Sequence, residues 1–185
     1  MRVEIVNDTE GATDATIFPP GENFVDLRQN PRAVERIAAA RTYLPLRNFL
    51  SAINSPPSVF ASATAAIEGK PEVDQSTGEI HEFSSWVRLV FAVLSLNFDE
   101  DRYTELTAAL TELLARDPEE AIRAELRVAP CHFPDQHQRG FCLCIRLLAL
   151  GDSAKQAELR WGFGLARVQQ ALLFRARAMG QQIGV

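Results

Sequence analysis

The C-terminal half of the chain has the more regular hydrophobic pattern. From Tyr103 the apolar residues Leu106, Leu110, Leu113 and Leu114 recur every three or four positions, the spacing of one helical face. Asp99 stands where it caps that helix, and Glu100 and Asp101 fall in its first turn, where the helix dipole favours acids. Asp117-Pro118-Glu119-Glu120 reads as a second helix start, carrying Ile122, Leu126 and Val128. Trp86–Leu96 and Phe141–Leu150 are almost wholly apolar. Ser85 is placed to cap the first, and leucine content and a closing Gly151 mark the second as helix. Asp152-Ser153 caps a last helical region reaching about Met179.

The N-terminal part is less regular. Met1–Val6 alternates as a short strand, and Asn7–Asn30 reads as loop. Asn30-Pro31 opens a helix with Val34, Ile37 and Ala38; Pro45 breaks it, and a second short helix carries Leu46, Phe49, Leu50 and Ile53. Ser58–Ile67 reads as helix or strand, its alanines favouring helix and Val59, Phe60 and Thr64 strand, and Gly69–Gly78 is a polar loop. The expected fold is therefore mostly α: a compact multi-helix bundle in residues 84–180, with one or two strands near the N-terminus. The competing arrangement is α+β, with a hairpin in 126–148. No repeat or linker divides the chain, so residues 1–185 are expected to form a single domain.

Composition adds little to this picture, but charge adds something. Of the 185 residues 46% are hydrophobic and 23% charged, ordinary for a globular chain that buries its own core. The longest apolar run, Trp86–Leu96, is about half the roughly 20 residues of a membrane helix, so no membrane association is expected. The first ten residues lack a secretory apolar stretch, and three cysteines cannot all pair, so the expected location is cytoplasmic. The net charge of −5 is split unevenly. Residues 138–185 hold seven bases and two acids, whereas residues 1–137 hold twelve bases and twenty-two acids.

That basic segment contains Trp161-Gly162-Phe163-Gly164. Two glycines so close weaken a continuous helix by about 2 kcal/mol relative to alanine, so a helix-turn-helix is expected, with the turn at the glycines. On the second helix Leu165, Val168, Ala171, Leu172 and Met179 point one way, and Arg167, Gln170, Phe174 and Arg177 point the other. Arg and Gln suit base edges, while Lys155 and Arg160 suit phosphates. The reading is a small regulatory protein, expected as a homodimer, that binds double-stranded DNA through Lys155, Arg160, Arg167, Gln170 and Arg177. Phe174 fits such a surface poorly. The second reading is a non-enzymatic module that binds a protein partner through its acidic body and the same helix.

A third reading concerns Cys131, His137, Cys142 and Cys144. A hairpin pairing Val128 with Ile145 and Leu126 with Leu147 would put the three cysteines on one face, and His137 would complete a zinc set from the loop. The spacing matches no strong zinc pattern, and unligated cysteines are usually buried as small apolar residues. No cofactor is therefore expected, with zinc as the alternative. No phosphate loop, H-E-x-x-H or G-x-S-x-G motif assigns an enzymatic activity.

Overall fold

The computed structural model describes residues 1–6, 15–17, 26–69, 80–116 and 119–183. Strands hold 34% of these and helices 48%. The fold is mixed α/β, which overturns the expected mostly α bundle.

Strand β1 (Arg2–Ile5) and the two-residue β2 (Ala15–Thr16) precede a 3-10 helix (Pro31–Arg36), α1 (Ala38–Thr42) and α2 (Leu44–Ile53). Strands β3 (Phe60–Gly69) and β4 (His81–Phe91) follow, then a 3-10 helix (Leu94–Phe98) and α3 (Glu100–Ala115). The chain closes with β5 (Ile122–Phe133), β6 (Gln138–Gly151) and α4 (Ala154–Ile183). The sheet order is β1-β5-β6-β4-β3, with β2 also paired to β5. The β3–β4, β4–β6 and β5–β6 pairs are antiparallel, and β1 and β2 run parallel to β5.

Alternation along the strands explains the layers. Phe83, Val87, Leu89 and Phe91 of β4, Ile122, Ala124 and Leu126 of β5, and Leu143, Ile145 and Leu147 of β6 share one core with α2, α3 and α4. Intervening residues turn to the opposite face. There Val90, Ala129, Cys131, Phe133 and Cys142 form a smaller apolar cluster with Ile17 and Ala61. The rest of that face carries charge.

Two-sided burial is why the segments at 86–91 and 141–150 read as helix. Val90 is as buried as Leu89, and Cys142 as Leu143, so the period of two is hidden in a continuous apolar run. Segments 86–91 and 141–150 are strand, and so is most of 58–67. The expected helix after Asp117-Pro118 is β5 instead; Asp117 and Pro118 lie outside the described residues. Strand β5 runs on through Pro130 as far as Phe133. Carbonyls of Leu126 and His132 accept from Val6 and Ile17, so alternate residues of β5 turn their backbone toward β1 and β2. Pro130 is one of these. Its missing N–H therefore falls on that side, between the two short strands, and the ladder to β6 is intact.

The 126–148 hairpin is present, with Leu126 opposite Ile145 and Val128 opposite Leu143, two residues from the pairing sketched from sequence. Where the helical stripe is regular the structure follows it. Asp99 caps α3 by accepting from the Asp101 N–H at 3.1 Å, and Tyr103, Leu106, Leu110 and Leu114 are buried. Asn30 makes no side-chain cap, and Pro31 opens a 3-10 rather than an α-helix. The helical stretch breaks at Tyr43, just before Pro45, which lies in the first turn of α2, and the expected second short helix buries Leu46, Phe49, Leu50 and Ile53.

Candidate functional site

The start of α4 is defined by reciprocal bonds. Ser153 Oγ accepts from the Gln156 N–H at 3.2 Å, and Gln156 Oε1 accepts from the Asp152 N–H at 2.6 Å. From there α4 runs unbroken for 30 residues, about 45 Å. The turn expected at Gly162 and Gly164 is not formed. Both glycines instead let neighbouring elements approach. A Cβ at Gly164 would stand 2.8 Å from Ile122 Cγ2 and 3.2 Å from Leu147 Cδ2. One at Gly162 would stand 2.9 Å from Pro45 Cγ. Packing against the sheet and α2 thus offsets the helix-propensity cost from which a turn was inferred.

Trp161, wholly buried, anchors the helix. Its Nε1–H donates to Ser85 Oγ at 2.8 Å, and its ring packs 4.7 Å from Phe83 and 5.9 Å from Tyr43. Ala157, Leu165, Val168, Leu172 and Ala176 continue the buried stripe at helical spacing.

The five residues assigned to DNA lie on one continuous helix. Arg160 turns back onto the body, donating to the Leu150 carbonyl at 2.8 Å with Glu119 at 3.9 Å. Arg167 lies over the ring of Phe163, 5.8 Å from its centre. Lys155, Gln170 and Arg177 are exposed.

Between these residues runs an apolar stripe. Leu159, Phe163 and Phe174 are 65%, 52% and 60% exposed, and at 100° per residue they fall within an arc of about 60°. Beside them Leu44, the first residue of α2, is 54% exposed. A groove of about 320 Å³ separates the two helices, lined by Leu44, Pro45, Asn48, Gly162, Ala166 and Gln169. The sequence reading placed Phe174 here but missed Leu44, Leu159 and Phe163. The same angular reckoning would have found Leu159 and Phe163, had the chain not been divided at the glycines. Helices α1, α2 and α4 together carry seven bases and one acid, Glu158. None of the lining residues is charged, but the helices around the groove are net basic on a chain of net charge −5.

The three cysteines do share the sheet face away from the helices. Cys142 Sγ lies 4.0 Å from Cys144 Sγ. A hydrogen bond with Cys131, together with burial, pushes the Cys142 thiol up to about 12. The Cys144 thiol is also pushed up, by its bond to Cys142 and then by burial. His137 is not brought to them: it is exposed and sits at φ 50° in the turn between β5 and β6. No group of three or more His, Cys, Asp or Glu placed to hold a metal occurs among the described residues.

Charges cross the same face as a ladder. Glu125 lies 3.2 Å from Arg123 and 3.5 Å from Arg146, and Arg146 reaches Glu68 at 2.7 Å. Glu4 continues it, pairing with Arg123 and, at 2.7 Å, with Arg2. Opposite charges on neighbouring strands satisfy one another there, and their half-exposure keeps each pair's contribution small. No described helix is long and apolar enough to cross a membrane. No known protein family, curated protein or solved structure matches the chain.

Proposed function

We propose that this protein is an interaction module that receives another polypeptide on the face shared by α2 and α4. One observation carries the reading: Leu159, Phe163 and Phe174 lie more than half exposed along one side of a helix whose other side is fully packed. Scattered apolar residues on a surface need no explanation, but aligned large ones beside a groove mark a binding surface. Phe and Arg together are also characteristic of interface cores. Duplex DNA fits this surface less well. A reading helix stands clear of its companion in a bent pair, whereas α4 is one unbroken helix packed on the sheet, and the ridge offered to base edges would be leucine and phenylalanine.

The test is quantitative co-purification from the native host, comparing the tagged chain with a triple variant, Leu159→Glu, Phe163→Glu and Phe174→Glu. The variant should melt at nearly the same temperature, because exposed positions change stability by about 0.5 kcal/mol or less. It should lose a specific protein partner while nucleic-acid recovery stays at background. Equal partner recovery by both chains would overturn the reading. Nucleic acid lost in parallel with the triple change would favour the DNA reading instead.

A further inference from the structure

Resting on that reading, we infer that the groove between α2 and α4 takes an acidic amphipathic helix from a different protein, its apolar side seated along Leu44, Phe163 and Phe174. Backbone chemistry selects a helix. Beyond the first turn of α2 the N–H and C=O groups of α2 and α4 are bonded within their own helices, so they offer an extended peptide no continuous ladder. A helix satisfies its own backbone and needs only apolar anchors every three or four residues. From Leu159 to Phe174 the stripe is about 22 Å long, which matches a docked helix of about 15 residues. The groove is lined on α4 by the small residues Gly162 and Ala166 and on α2 by Leu44 and Pro45, with the exposed Leu159 and Phe163 on the adjoining side of α4, so anchoring side chains have room to enter.

Charge selects the partner. Among the bases of these helices, Arg41, Lys155 and Arg177 are exposed, and Glu158 is the single acid. The groove's own lining is uncharged, so it is this excess of base on the surrounding helices that favours a docked helix carrying carboxylates over a basic one. A second copy of this chain is a poor occupant. Its α4 brings the same arginines, and α3, its acidic helix, has already buried Tyr103, Leu106, Leu110 and Leu114 in its own core.

The test is fluorescence anisotropy with three labelled synthetic peptides of about 18 residues, long enough to cover the stripe. The first carries leucines at i, i+3, i+4 and i+7 spacing among glutamates. The second has the same composition with the leucines scrambled. The third keeps the leucine spacing and replaces glutamate by lysine. The first should bind saturably, at least tenfold tighter than either other, and weaken as salt rises. Ala166→Trp, which fills the groove from an exposed position, and Phe163→Glu should each weaken it at least tenfold without altering the thermal melt.

Equal binding of the lysine or scrambled peptide, or indifference to Ala166→Trp, overturns the inference. So does sedimentation of the peptide-free chain as a dimer that Phe163→Glu dissociates. The two levels fail separately. If native partners are still lost from the triple variant while all three peptides fail, the acidic-helix assignment falls and the module survives. If neither partners nor peptides respond, both fall.

Discussion

Trp161 and Ser85 offer a direct measure of how α4 is seated on the sheet. Both are buried, and the indole N–H donates to the serine hydroxyl at 2.8 Å. Ser85→Ala removes the acceptor and leaves that N–H without a partner in the core, a cost of about 2 kcal/mol. Trp161→Phe removes the donor, about 1 kcal/mol, and leaves unfilled volume beside Phe83 and Tyr43 worth a further 1–2 kcal/mol or so. In the double variant no polar atom is stranded, so its cost falls short of the sum by about 1 kcal/mol. Urea denaturation of the four chains measures this, and each kcal/mol should also lower the melting temperature by about 2–4 °C for a chain of this size. Single costs that add to within about 0.3 kcal/mol would refute the contact. A neutral Ser85→Ala would refute the seating of α4 at this point.

Two further predictions concern the core and the cysteines. Gly164→Ala gains about 1 kcal/mol of helix propensity but places a methyl 2.8 Å from the buried Ile122 Cγ2. Overpacking at that distance costs about 2 kcal/mol, so chemical denaturation should show a net loss near 1 kcal/mol, and a gain would contradict the packing. The raised Cys142 thiol means that the folded state holds this proton more tightly than the unfolded chain does. Its stabilising contribution is complete below the ordinary value of 9.0 and is lost as pH rises toward about 12. Urea midpoints should therefore fall across that range, less steeply in Cys142→Ala; identical slopes in the two chains would contradict the assignment.

How much of this was legible in the sequence depended on how many sides of an element are buried. Helix α3 has one buried and one solvated face, so its stripe and the Asp99 cap could be read directly. Strands β4 and β6 are covered on both sides near Val90 and Cys142, which left a continuous apolar run without a visible period. Leucine content then argued for helix, and tertiary packing overrode it. The glycines of α4 were misread for a related reason. Propensity marks Gly162 and Gly164 as weak points in a helix, and only the neighbours Pro45, Ile122 and Leu147 show that they serve close approach. The shared face of the three cysteines followed from alternation alone, because a register error of two residues leaves every side chain on the same side. The groove was out of reach, since Leu44 and Gly162 lie far apart in sequence and come to one groove only through the packing of α2 on α4.

The most direct measurement is site-specific photo-cross-linking in living cells, with a photoreactive phenylalanine analogue placed at Phe163 or, for comparison, at the exposed Thr64 on the opposite face. The account predicts a discrete adduct with a different polypeptide from position 163, absent from position 64 and lost when Phe174→Glu is added. Adducts from Thr64 alone, or with nucleic acid from position 163, would contradict it.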